Sequence, residues 1–159
     1  MDMLVSQLSN VLFANGWMLA TAESCTGGWL AKVCTDLAGS SGWFERGFVT
    51  YSNEAKQDML GVKAATLAQH GAVSEAVVAE MAAGVLLHSR AQLALSVSGI
   101  AGPGGGTLSK PVGTVCFGWA SKNGEAHTET CHFTGDRDAV RWQSLEYALR
   151  GVWRYYLMG

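Results

Sequence analysis

Residues 17–34 read WMLATAESCTGGWLAKVC, and this stretch decides the architecture. Trp17 to Ala22 read as a short strand. Glu23-Ser24-Cys25-Thr26-Gly27-Gly28 makes a tight turn, and Trp29, Leu30, Val33 and Cys34 continue as a helix. A strand that exits through a glycine turn into a helix is the building unit of a layered α/β sheet.

The surrounding sequence repeats that logic. Upstream, Leu4, Leu8, Val11 and Leu12 recur at helical spacing and Gly16 is a stop signal. Downstream come a loop at Gly39–Gly42, a strand from Phe44 to Tyr51, and a helix from Asn53 to Leu60 closed by Gly61. Ser74 is an N-cap for a helix with apolar residues Val77, Val78, Met81, Ala82, Val85 and Leu86, ending near Arg90. Leu93, Leu95 and Val97 then alternate into the glycine-rich segment Ser98–Gly106. Val115, Phe117 and Trp119 mark a strand that turns back at Lys122-Asn123-Gly124 into a partner strand from Ala126 to Phe133. Asp136 and Asp138 open the last helix, where negative charge suits the helix dipole. Helices alternating with strands, plus one hairpin, predict a layered α/β domain with a mixed sheet over residues 1–159.

Composition removes several classes. The 159 residues are 48% hydrophobic and 15% charged, the reverse of a disordered chain. Eleven basic against thirteen acidic residues give a net charge of −2, without the basic excess that nucleic-acid binding needs. Cys25, Cys34, Cys116 and Cys131 form no C-x-x-C pair and read as reduced thiols. The first ten residues lack the basic start of a signal peptide, and no apolar run approaches the ~18 residues of a membrane span. A cytoplasmic protein without a membrane partner is the expectation. The apolar content, with Trp153, Tyr155 and Tyr156 near the end, suggests a surface for homo-oligomerisation.

In open α/β sheets, ligands bind beyond the carboxyl ends of the strands, and two segments qualify here. The turn after Ser24 offers the amides of Cys25, Thr26, Gly27 and Gly28 to an anion or a developing oxyanion. Ser98–Gly106 offers more amides with little side-chain bulk, but matches neither a dinucleotide fingerprint nor a P-loop. Together these segments hold seven of the 20 glycines. By pattern alone Ser24 reads first as a helix cap, with Thr26 as the competing cap. A nucleophilic serine would need a base. His70, His88, His127 and His132 show no pattern that singles one out, which leaves Lys32 and Lys56. Lys32 lies two turns along the helix after Ser24, whereas Lys56 follows another strand whose end, at Tyr51, could abut the turn. Glu23 could orient a polar substrate group or bond nearby backbone, Cys25 is a weaker nucleophile candidate, and Arg137 is a candidate phosphate contact.

The segments Thr21–Gly28 (TAESCTGG), Gly47–Lys56 (GFVTYSNEAK), Gly71–Glu75 (GAVSE), Ser98–Pro103 (SGIAGP) and Pro111–Val115 (PVGTV), in this order along nearly the whole chain, closely resemble the CinA C-terminal domain family. Gly104 departs from it, standing where an Asp often follows the proline. The resemblance implies a three-layer α/β/α fold. It implies hydrolysis of the carboxamide of nicotinamide mononucleotide, giving nicotinate mononucleotide and ammonia, with no metal or cofactor. It places the family's catalytic serine, tyrosine and lysine on Ser24, Tyr51 and Lys56, and so overturns the cap reading of Ser24. Substrate contacts are then expected from Cys25, Thr26, Gly27, Gly28, Ser98, Gly99, Gly102 and Arg137. The alternative is a catalytically silent nucleotide-binding or protein-interaction module, since the same domain also occurs fused to others.

Overall fold

The computed structural model describes residues 1–158. Helix α1 (Asp2–Asn15) leads into β1 (Leu19–Glu23), α2 (Trp29–Thr35) and β2 (Phe44–Val49). Three helices follow, α3 (Asn53–Leu60), α4 (Ala64–His70) and α5 (Glu75–Leu87). The chain then forms β3 (Leu93–Gly99), the hairpin β4 (Thr114–Ser121) and β5 (Ala126–His132), and α6 (Arg137–Val152). The strand order is β2-β1-β3-β4-β5. β1 is parallel to both of its neighbours, while β3, β4 and β5 are antiparallel, so the sheet is mixed as expected.

Both faces of the sheet are covered, which gives three layers. Leu19, Leu95, Val97, Phe117 and Trp119 pack with α1, α2 and α6. Ala20, Ala22, Ala94 and Cys116 point the other way, onto α5 and the residues around α3 and α4. The alanines on that face let α5 lie close to the sheet, near enough for the Ser96 hydroxyl to donate to the Val78 carbonyl at 2.6 Å. That bond satisfies a buried hydroxyl which the apolar layer would otherwise strand.

Local signals account for most element ends. Gly16 and Gly61 close α1 and α3 in the left-handed conformation. Ser52, Ser74 and Asp136 each accept a first-turn amide from Ala55, Val77 and Ala139. Two expectations are corrected. Trp17 and Met18 precede β1 rather than opening it, and Tyr51 lies beyond the end of β2. Residues 64–70 form a helix that periodicity did not announce, because one buried residue, Leu67, is all that seven residues contribute to the core.

Candidate active site

β1 and β3 run in parallel, so their carboxyl ends, and the two glycine-rich exits, meet at one edge of the sheet. Glu23 pairs with Val97, and the Ser24 amide continues the ladder by donating to the Val97 carbonyl at 3.0 Å. Ser24 is therefore the residue at which β1 leaves the sheet. By strand alternation it belongs to the face carrying Ala20, Ala22 and α5.

The turn that follows is built on Gly27 and Gly28, both with left-handed backbone (φ 59° and 98°), which residues bearing a side chain seldom adopt. Ser24 does not cap α2; its carbonyl accepts from the Gly27 amide at 3.1 Å. The cap comes from the preceding residue. Glu23 is fully buried beneath the helix, its carboxylate accepting from the amides of Leu30 (2.8 Å) and Ala31 (3.1 Å). This is the backbone-bonding alternative for Glu23, and it places the negative charge at the positive end of α2. Among the described residues, the amides of Cys25, Thr26 and Gly28 have no acceptor.

Lys56 reaches Ser24 for a geometric reason. It occupies the fourth position of α3, and side chains on a helix tilt toward its N-terminus. Its ammonium therefore returns to the segment before the helix, donating to the carbonyls of Tyr51 (3.0 Å) and Ser52 (3.4 Å) and to the Ser24 hydroxyl (3.1 Å). The Ser24 hydroxyl in turn donates to the Tyr51 carbonyl at 3.4 Å. Lys56 is 1% exposed and Ser24 9%. Burial lowers the Lys56 pKa below its ordinary 10.5, against smaller opposing contributions from Cys25 and Glu54. A lysine held in this way gives up its proton more readily than one in water.

The other candidates sort themselves by contact. Tyr51 meets Lys56 through its main chain, while the residue as a whole is 62% exposed. Lys32 pairs with Asp36 at 2.8 Å on the surface, away from Ser24. Burial pushes the Cys25 thiol up to about 11, which keeps it protonated and weakly nucleophilic at neutral pH. Thr26 is fully buried with an unpartnered hydroxyl, and its amide has no acceptor among the described residues. Ser98 is buried at the end of β3, Gly99 pairs with Val115, and the Gly102 carbonyl accepts from Arg137 at 2.8 Å. Arg137 thus ties the second loop to the start of α6.

One further residue holds the turn from outside its own motif. Arg141, one turn further along α6, donates to the carbonyls of Cys25 (3.1 Å) and Thr26 (3.3 Å), and its guanidinium lies 5.2 Å from the Trp29 ring centroid. Because each peptide unit is planar, fixing these carbonyls also fixes the direction of the Thr26 and Gly27 amides. No local pattern marked it: the contact spans 116 residues and exists only once α6 has docked.

Fold and site together define an α/β protein with a buried Ser–Lys pair at the carboxyl edge of its parallel strands, beside a turn with free amides. The chain belongs to the CinA C-terminal domain family, whose pattern it matches over residues 1–156. A protein of Escherichia coli (strain K12) named nicotinamide-nucleotide amidohydrolase PncC is 61% identical over 154 residues, covering 97% of this chain and 93% of that protein. A protein of Enterobacter agglomerans with the same name is 56% identical over 151 residues, covering 95% and 92%. Among solved structures, the competence damage-inducible protein A of Klebsiella pneumoniae superposes with a TM-score of 0.94 at 42% identity, covering 98% of this chain and 96% of that one. The competence/damage inducible protein CihA of Agrobacterium tumefaciens gives 0.93 at 43% identity, covering 95% and 92%.

Proposed function

We propose that this chain is an amidase that hydrolyses the carboxamide of nicotinamide mononucleotide to nicotinate mononucleotide and ammonia, with Ser24 as nucleophile and Lys56 as its base. The observation that carries the reading is the 3.1 Å contact between the Lys56 ammonium nitrogen and the Ser24 hydroxyl oxygen beneath a turn with free amides. The substrate assignment is supported by the name nicotinamide-nucleotide amidohydrolase carried by relatives at 61% and 56% identity.

Each step has a group to perform it. Neutral Lys56 takes the Ser24 proton as the oxygen attacks the amide carbon, and the carbonyl π electrons move onto oxygen. The unpaired amides of the turn after Ser24, whose Cys25 and Thr26 carbonyls Arg141 holds, donate to that oxyanion. The Lys56 ammonium returns its proton to the departing nitrogen, and ammonia leaves an ester on Ser24. Water, deprotonated by Lys56, then attacks the ester carbon; the acid departs, and Ser24 recovers its proton. Tyr51 acts twice, holding Lys56 with its carbonyl and donating from its exposed phenol to the bound amide. The backbone of Gly99 and Gly102 flanks the pyridine, with Arg137 bracing the loop.

Purified protein supplied with nicotinamide mononucleotide is expected to release one ammonia per nicotinate mononucleotide formed. Binding without turnover would favour the silent module. Turnover of other pyridine amides alone would move the substrate assignment.

A further inference from the structure

On the α5 side of the sheet, at the same edge as Ser24, lies an open groove of about 550 Å³ between the start of α5 and the β4–β5 hairpin. Nothing in the chemistry at Ser24 uses it. Its walls carry Lys110, His70, His132 and Glu75, with Cys116 and Thr130 as its floor.

The register connects the groove to the candidate site. Ser24 stands level with Ser98, Ser98 pairs with Cys116, and Cys116 pairs with Thr130. These four residues form a row across one face of the sheet. Two strand spacings, about 10 Å at ~4.8 Å each, separate Ser24 from Cys116. That span is comparable to the distance from the carboxamide to the phosphate of an extended pyridine mononucleotide. Ser98, between the two, is 1% exposed and lies outside the groove's lining.

The polar groups in the groove are arranged for a phosphorylated sugar. Lys110 brings a cation, held where its ammonium donates to the His70 carbonyl at 2.7 Å. The His70 and His132 imidazoles have no hydrogen-bond partners among the described residues. Ser74 caps α5 through the Val77 amide, which leaves the Glu75 and Ala76 amides of the first turn unpaired and facing negative charge favourably. Glu75 is the one carboxylate in the lining. Its oxygens accept from Thr128 and Thr130, both at 2.7 Å, and each keeps a lone pair for a further hydroxyl.

We infer that this groove is the phosphoribosyl subsite, with Lys110 and the first-turn amides of α5 taking the phosphate and Glu75 taking the ribose hydroxyls. The inference rests on the reading of Ser24 as the amide-cleaving centre and deepens it.

The test compares kcat/KM for nicotinamide mononucleotide and for nicotinamide riboside, which has the same carboxamide without the phosphate. Lys110→Gln is expected to reduce the preference for the phosphorylated substrate about tenfold or more, mostly through KM, as the loss of a charge-assisted phosphate contact would. Lys110→Arg should retain most of that preference. Titration of nicotinamide mononucleotide into Ser24→Ala protein, with and without Lys110→Gln, should show the same loss without turnover. An unchanged preference and unchanged binding in Lys110→Gln would overturn the subsite, as would equal losses on both substrates. Failure of the wild-type protein to release ammonia from either compound would instead contradict the reading of Ser24, and the binding comparison, made on wild-type protein, would still decide the groove.

Discussion

The Lys56 ammonium nitrogen lies 3.1 Å from the Ser24 hydroxyl oxygen, and the Tyr51 carbonyl holds the pair from one side. With no histidine bonded to Ser24 among the described residues, the proposed mechanism assigns the proton transfers to a lysine whose pKa burial has lowered. Only the neutral amine can accept the serine proton, so kcat/KM should rise with pH as Lys56 deprotonates, with the midpoint of that limb below 10.5. Lys56→Met should abolish the limb and reduce kcat by ~10²–10⁴-fold, the usual contribution of a general base. A pH–rate profile of both proteins checks this.

Tyr51→Phe separates the two parts assigned to Tyr51, because it keeps the carbonyl that holds Lys56 and removes the phenol. A fall in kcat of roughly tenfold or more, with an unchanged melting temperature, is expected from the loss of one donor to the reacting amide. Wild-type turnover would confine Tyr51 to its main-chain contact.

In the proposed mechanism Arg141 acts through the turn it braces. Arg141→Ala leaves the Cys25 and Thr26 carbonyls without their α6 partner and frees the amides to reorient. The expected result is a loss in kcat of about tenfold or more, with a smaller change in KM. Arg141→Lys should recover little, since one ammonium does not reproduce a planar fork donating to two carbonyls.

Glu23 supports the same turn from below. Glu23→Ala would leave the buried Leu30 amide and the part-buried Ala31 amide without their acceptor and open a cavity, at a cost of about 2–4 kcal/mol in unfolding free energy. Glu23→Gln retains one acceptor and should lose less. Urea denaturation of the two variants measures the difference.

These residues also show what the sequence made legible. Ser24, the turn glycines and Lys56 sit in short motifs whose local geometry is self-contained: a strand exit, a left-handed Gly pair and a capped helix. Fold class followed from the same signals, because hydrophobic alternation and caps are local properties. Arg141 was not legible, since its partners lie 116 residues away in sequence. Local pattern points to Ser24 or Thr26 as the cap on α2, because a buried Glu23 carboxylate reaching forward seven residues to Leu30 has no short-range signature. The contact of Tyr51 with Lys56 is made by its main chain, which no side-chain pattern encodes.

The most direct test is ammonia release from nicotinamide mononucleotide by Ser24→Ala, measured beside the wild-type protein and after confirming that both fold. Removal of the attacking oxygen should leave less than about a thousandth of the wild-type rate. Release at the wild-type rate would contradict the assignment of Ser24 as nucleophile.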